Sequence, residues 1–163
     1  HALRQHPGDR HRGVVVDAEA RRAVGHRMVQ PSGGVERMVD LAHSADVYVF
    51  HHNDGSIRDV LPDLIGIGID LLNPIQWRCK GMGRAELKRD FGDQVIFHGG
   101  LDNQQTLPFG SPEQVAREVT EHVEAFKPGG GYVFAPVHNI QAGVPPKNVV
   151  AMFDTAIAAG SYR

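Results

Sequence analysis

The sequence predicts an α/β fold in which parallel strands alternate with helices. Short apolar runs rich in Val, Ile, Tyr and Phe alternate with segments whose apolar residues fall at helical spacing. The alternation repeats at a spacing of about 25–35 residues, which is typical of βαβ units. A doubly wound sheet and part of a (β/α)8 barrel both fit this pattern. No GxGxxG motif follows the first strand, so the dinucleotide-binding signature is missing.

The first predicted units occupy residues 34–72. Apolar residues at helical spacing predict a helix over 34–44, and 47–50 has the composition of a strand. Ser56 can cap a second helix, although Pro62 would remove a backbone hydrogen bond beyond the first turn. Residues 67–72 are predicted to form the second strand.

The strongest helix start lies in the second half of the chain. Ser111 can cap the helix, Pro112 suits the first helical position, and Gln114 completes a capping box. The other elements predicted in this half are a helix over 84–91, strands over 95–97 and 132–135, and a helix over 145–160. Together with the first units, this gives four strand-then-helix units, half of the eight in a barrel.

The composition changes near residue 33. Residues 1–30 contain six Arg and three acidic residues, whereas the rest contains eleven Lys and Arg residues and sixteen acidic ones. A Pro-Ser-Gly-Gly loop signal lies at the change. We therefore predict an irregular N-terminal segment over 1–33 and a folded domain over 34–163.

The overall composition excludes several classes of protein. Hydrophobic residues make up 41% of the 163 residues and charged residues 22%, as in ordinary globular domains. The sequence has no apolar run of about 18 residues, and the formal net charge is −2, so neither a membrane nor a nucleic acid is expected as a partner. A single cysteine, Cys79, excludes an internal disulfide and fits a reducing compartment such as the cytoplasm.

Polar residues gather directly after each predicted strand. They are His51–Asp54, Asn73 with Gln76 and Trp77, His98 with Asp102–Gln104, and His138 with Asn139 and Gln141. In barrels, active sites are built from the loops at the carboxyl ends of the strands, so this placement predicts an enzyme or a ligand-binding barrel.

The histidines differ in their expected roles. His51 and His52 should point to opposite faces of the sheet, with one of them facing the pocket. His138 follows a strand in a proline-stiffened segment and is the strongest functional candidate. His43 and His122 fall inside predicted helices and are interpreted as surface residues.

Several motifs, in order and spacing, resemble the uroporphyrinogen decarboxylase family. They are Phe-His-His-Asn-Asp-Gly-Ser at 50–56, the segment 63–74, Phe-His-Gly-Gly-Leu-Asp at 97–102, Pro-Gly-Gly-Gly-Tyr at 128–132, and 138–148 with its Pro-Pro turn. The resemblance extends from about Val35 to the end of the chain. It implies a (β/α)8 barrel of which this chain is the C-terminal half.

The resemblance implies decarboxylation of acetate side chains on a tetrapyrrole, without a cofactor. The family's histidine before the Pro-Pro turn matches His138, and its Asp-Gly matches Asp54; these two are the expected catalytic residues. The expected substrate-binding residues are His52, Asn73, His98, Asp102 and Asn139. The family's arginine-rich segment and its pyrrole-binding aspartate belong to the N-terminal half. The chain is therefore expected to act as a homodimer or with a missing N-terminal half, and to be inactive alone.

Two alternatives stay open. Corrinoid-dependent methyltransferases of the same family bind zinc through a His-x-Cys-Gly motif and a second Cys. The matching positions here would give His52, Asp54 and His138, a possible set for Zn²⁺ or another divalent metal, with a corrinoid protein as partner. The other alternative is an inactive, truncated fragment.

Overall fold

Four short parallel strands form one sheet in which chain order and spatial order agree. The strands are β1 (Phe50–His52), β2 (Leu71–Asn73), β3 (Ile96–His98) and β4 (Tyr132–Val133). The computed structural model describes residues 33–161, so all but Gly33 of the predicted irregular segment over 1–33 lies outside it. Each strand is followed by at least one helix, as predicted for four consecutive βα units.

The helices follow their sequence signals closely. They are α1 (Gly34–Ser44), α2 (Leu61–Gly66), α3 (Arg84–Phe91), α4 (Thr106–Phe109), α5 (Pro112–Phe126) and α6 (Pro146–Gly160). The predicted capping box is confirmed, because Gln114 N–H donates to Ser111 Oγ and Ser111 N–H donates to Gln114 Oε1. Among residues 33–161, no helix has the length and hydropathy needed to span a membrane.

Two helices differ from the prediction. The second begins at Leu61 rather than after Ser56, because Pro62 lies in its first turn, where the missing N–H has no intrahelical partner. Ser56 instead donates its hydroxyl hydrogen bond to the carbonyl of Lys80. The single-turn helix α4 was not predicted.

The first strand begins three residues later than predicted. The cause is that a side-chain carboxylate, rather than a backbone carbonyl of the next strand, accepts the N–H of Val49. Val49 N–H donates to Asp70 Oδ2 at 2.7 Å, while its carbonyl accepts from the backbone N–H groups of Asp70 and Leu71, so the regular ladder begins at Phe50. The same carboxylate lies 2.9 Å from Nε2 of His43, which makes His43 a half-buried linker rather than the surface residue predicted. The first strand ends at His52, which pairs with Asn73 of β2.

The helix-facing side of the sheet carries the core. Leu72, Phe97 and Tyr132 occupy one register row, and all three are buried. Phe126 of α5 packs against this row, with its ring centroid 5.0 Å from those of Phe97 and Tyr132. Burial of an aromatic side chain of this kind contributes roughly 1.5–3 kcal/mol.

The opposite side of the sheet is the inner face of the half-barrel. Because side chains alternate along a strand, Phe50, Leu71 and Ile96 form a row on this face. Phe50 is 50% exposed, and the other two are partly exposed. In the part of the chain that is described, nothing fully covers this face.

The core assignment predicts different outcomes for two phenylalanines. We expect Phe126→Ala to lower the free energy of unfolding by roughly 3–5 kcal/mol, because it leaves a cavity beside the sheet. Phe109→Ala is the matched control, since Phe109 is 84% exposed and should lose almost nothing. Urea unfolding followed by circular dichroism measures both, and equal losses would contradict the assignment.

Candidate functional site

Three polar residues from adjacent strands are joined by hydrogen bonds at the carboxyl edge of the sheet. His52, the last residue of β1, is in register with Asn73 of β2. His52 Nδ1 donates to Asn73 Oδ1 at 2.6 Å, and Asn73 Nδ2 donates to Nδ1 of His98 at 2.8 Å. These three side chains therefore form a continuous His–Asn–His chain on the inner face.

The His–Asn–His chain forms one wall of an open cleft of about 520 Å³. The segment after β4 forms the opposite wall and contributes His138, Asn139 and Ile140. The rings of His52 and His138 meet edge to face with centroids 6.1 Å apart. The cleft thus combines three imidazoles and two amides with apolar side chains.

The segment after β4 is anchored to the end of β3. Val137 N–H donates to the carbonyl of Leu101 at 2.8 Å, and Pro136 pairs with Leu101 in an isolated parallel bridge. Gly99 makes this approach possible: its φ is +81°, and a Cβ there would lie 3.1 Å from the carbonyl oxygen of Pro136. The glycine therefore lets His138 stand opposite the His–Asn–His chain.

Burial controls the charge of His98. Its ring contacts Phe50 edge to face, at 5.1 Å between centroids, and desolvation lowers the pKa of this imidazole. His98 therefore stays neutral at neutral pH. A neutral ring in the cleft can donate one hydrogen bond and accept another.

Asp54 lies at the edge of the cleft. Its Oδ2 is 3.5 Å from Nε2 of His52, and its side chain is 55% exposed. The following Gly55 N–H donates to Gln76 Oε1, so the loop after β2 holds the turn after β1. Asp54 is thus placed to balance a positive charge on His52.

Metal binding at His52, Asp54 and His138, which the methyl-transfer alternative requires, stays a prediction. Within residues 33–161, no three or more His, Cys, Asp or Glu side chains are grouped closely enough to hold a metal ion. His52 also uses Nδ1 for its bond to Asn73. We therefore derive no chemistry through a metal at these residues.

Asp102 lies outside the cleft. Its carboxylate accepts from Arg78 Nε at 2.6 Å and from the backbone N–H of Gln104 at 2.8 Å. Its backbone N–H donates to Oε1 of buried Glu118 on α5. These contacts fix the loop after β3, whereas a substrate-binding role for Asp102 stays a prediction.

Glu118 is the centre of this second, buried network. Burial alone would raise the pKa of its carboxyl. Contacts with His122 and Thr106, together with hydrogen bonds from Asp102 and the indole of Trp77, outweigh burial and lower the pKa to about 2. Glu118 therefore remains ionised and joins the loops after β2 and β3 to α5.

His122 is fully buried, so its predicted place on the surface is wrong. Its Nε2 accepts from Arg84 Nε at 3.2 Å, and its ring lies so close to Gly100 that a Cβ there would be 2.8 Å away. Trp77 packs beside it, with the guanidinium groups of Arg78 and Arg84 over its ring. The position of His122 between Val119 and Phe126 on the apolar stripe of α5 was the signal for its burial.

The fold is a partial (β/α)8 barrel with an open cleft at the carboxyl ends of its strands. The sequence model of one family, "Uroporphyrinogen decarboxylase (URO-D)", matches residues 27–158. The chain belongs to the uroporphyrinogen decarboxylase family, which confirms the resemblance seen in the sequence.

Curated relatives agree with this membership. Over 121 residues the chain is 27% identical to the uroporphyrinogen decarboxylase of Psychromonas ingrahamii. This match covers 74% of the present chain and 31% of the relative. Over 62 residues it is 40% identical to the enzyme of the same name from Sodalis glossinidius, covering 38% of this chain and 17% of the relative. The chain thus spans about a third or less of each of these relatives.

A solved structure shares the fold. The methyltransferase from Methanosarcina mazei superposes with a TM-score of 0.60 at 22% identity, covering 75% of this chain and 34% of that one. This likeness supports the barrel-type fold predicted from the alternating elements.

The low pKa of Glu118 predicts how stability depends on pH. Ionisation of Glu118 stabilises the fold fully above its ordinary pKa of 4.5. That stabilisation, on the order of 3 kcal/mol, is lost as the pH falls from 4.5 towards 2. We expect Glu118→Gln to flatten this part of the curve of unfolding free energy against pH. Urea unfolding at a series of pH values measures the slope.

Glu124→Gln is the matched control on the same helix. Glu124 is exposed, so its substitution should leave the pH dependence of the wild type intact. The same acid slope in wild type and Glu118→Gln would show that the buried network does not depend on this carboxylate.

Proposed function

We propose that this chain forms part of a cytoplasmic lyase that removes carbon dioxide from acetate side chains of a tetrapyrrole. The observation that carries the proposal is the cleft, where His52, His98 and His138 face one cavity in a chain of the uroporphyrinogen decarboxylase family. Three imidazoles at the carboxyl ends of barrel strands supply proton transfer and hydrogen bonding near neutral pH.

The reaction replaces a carboxylate by a proton. Protonation of the pyrrole carbon next to the acetate makes the ring accept the electron pair of the breaking C–C bond. Carbon dioxide then leaves, the resulting exocyclic methylene carbon takes a second proton to become a methyl group, and the ring carbon releases the first proton to restore the pyrrole. His138 is exposed in the cleft and is our candidate for delivering a proton, whereas buried His98 can hydrogen-bond a substrate oxygen.

The described half of the site contributes no permanent cation. Within residues 33–161, the walls of the cleft contain no Arg or Lys, although a tetrapyrrole acid carries several carboxylates. Arg78, the guanidinium next to this region, already pairs with Asp102 and lies 3.6 Å from Glu118. We therefore propose that the cations come from a second copy of the chain or from an N-terminal half-barrel.

An anaerobic assay with uroporphyrinogen tests the proposal. The 163-residue chain is assayed alone and together with the N-terminal half of the Psychromonas ingrahamii relative, and chromatography separates products by their number of carboxyl groups. We expect products with fewer carboxyl groups from the mixture. No product under either condition would favour the alternative of an inactive fragment.

Methyl transfer from a corrinoid protein is the second candidate, because the methyltransferase from Methanosarcina mazei shares the fold. It would require a divalent metal at His52, Asp54 and His138. One equivalent of zinc that His52→Ala removes would support it over decarboxylation.

Loss of His138 should impair turnover but leave the fold intact. We expect His138→Ala to lower kcat by roughly 10²-fold in the active assembly, because the cleft then lacks its exposed proton donor. The unfolding curve should not move, since the side chain is exposed. Near-full turnover of His138→Gln combined with loss of turnover in Asp54→Asn would assign the proton transfer to the Asp54 loop instead.

The open edges predict that the chain associates. Within the described sheet, β1 and β4 each have one edge without a neighbouring strand, and such edges recruit other strands. We expect sedimentation velocity to show dimers or larger species. Phe50→Asp on the inner face should weaken association, whereas Phe109→Asp on exposed α4 should not. A monomeric wild type with a cooperative unfolding transition would contradict this.

A further inference from the structure

The amide of Asn73 contacts two imidazoles at once. Its oxygen faces Nδ1 of His52 at 2.6 Å, and its nitrogen faces Nδ1 of His98 at 2.8 Å. A carboxamide accepts only through its oxygen and donates only through its nitrogen. One Nδ1 must therefore carry a proton while the other must not.

This requirement assigns a state to each ring. His52 donates to Asn73, so its Nδ1 is protonated. His98 accepts from Asn73, so in the neutral ring its proton lies on Nε2. The difference between the protonated nitrogens of the two rings comes from a single side chain, that of Asn73. This side chain is buried, with only 8% of its surface exposed.

The surroundings of His98 keep this state stable. Its ring is partly buried against Phe50, and burial disfavours a second proton. The titratable groups near it are His52 at the other end of the same His–Asn–His chain, His138 across the cleft, and Asp54 beside His52 at the edge. Within residues 33–161, Nε2 of His98 has no hydrogen-bond partner, so its N–H is available to a ligand.

We propose that Asn73 is a positioning residue that fixes these ring states, so that His98 presents Nε2–H to a carboxylate oxygen of the ligand. The carboxylate follows from the proposed function, on which this part rests. The ring states themselves depend only on the hydrogen bonds among the three side chains. Asn73 would then act through His98. The sequence instead predicts that Asn73 contacts the substrate directly.

Nitrogen-15 spectra of the histidine rings test the ring states in the 163-residue chain without any substrate. We expect His98 in the Nε2–H form and His52 in the Nδ1–H form. In Asn73→Asp both carboxylate oxygens accept, so His98 must also protonate Nδ1. Its pKa should then rise by about one pH unit or more, because a carboxylate stabilises the imidazolium.

Asn139→Asp is the matched control, because it adds the same charge to the same cleft in a residue for which no ring hydrogen bond is seen. It should leave the His98 proton on Nε2. Asn73→Leu provides a second variant if the aspartate disrupts folding, and it should allow both neutral forms of His98. A wild-type His98 protonated on Nδ1, or the same ring states in Asn73→Asp and Asn73→Leu as in wild type, would overturn the positioning role.

Acetate serves as the probe for the donor role. Titration with acetate at a pH where His98 is neutral should shift its Nε2 resonance in wild type, and Asn73→Asp should remove this response, because its neutral His98 carries the proton on Nδ1. An Nε2 resonance that acetate does not move would overturn the donor role. A negative decarboxylase assay would leave the ring states untouched, so failure of this inference is distinguishable from failure of the proposed function.

Discussion

In-register pairing of the parallel strands is the constraint on which both the core and the site depend. Because side chains alternate along each strand, pairing His51 with Leu72 and Leu72 with Phe97 puts one row of residues against the helices. The neighbouring positions then form a second row, which contains His52, Asn73 and His98. A slip of one residue in a strand would move that strand's side chains to the opposite faces and turn its polar residue of the second row towards the helices. The same register therefore builds the apolar core and aligns the His–Asn–His chain.

The buried carboxylate of Glu118 adds a second constraint, on the loops rather than the strands. It accepts from the indole of Trp77 and from the backbone N–H of Asp102, which belong to different loops. An ionised carboxylate in the interior is tolerated only when hydrogen bonds and opposite charge compensate for its lost hydration. Removal of one partner would leave the charge uncompensated, so the network holds both loops in one arrangement.

The sequence predicts the helix bounds well, because residues close together in the chain determine them. Capping residues and turn glycines set the bounds of α1, α3 and α5, and these agree with the prediction. Strand bounds were less accurate because pairing partners set them. The first strand starts at Phe50 since Asp70, twenty residues away in the chain, takes the N–H of Val49. No local pattern around Val49 carries that information.

The same distinction applies to the site. Reactive residues at the strand ends were predictable, because parallel strands bring their carboxyl ends to one edge. Long-range contacts decided the rest. Arg78 donates to the carboxylate of Asp102, and the ring of His122 packs against Gly100. The surroundings of Asp102 and His122 therefore cannot be read from the sequence next to them. The period of α5 places His122 on its buried face, although the polar side chain favours the surface.

The charges around the cleft indicate how the chemistry is divided between this half and the remainder of a site. Imidazoles and amides line the described walls, whereas the nearby guanidiniums of Arg78 and Arg84 are committed to carboxylates and to Trp77. Neutral donors orient a substrate and can pass protons, but they balance little of the charge of a polycarboxylate. A site built only from this half would therefore leave the charge of the proposed tetrapyrrole substrate largely uncompensated. Under the proposed function, permanent cations would have to enter from the open side of the half-barrel, facing the inner row that contains Phe50, so closing the barrel would also complete the charge balance of the site.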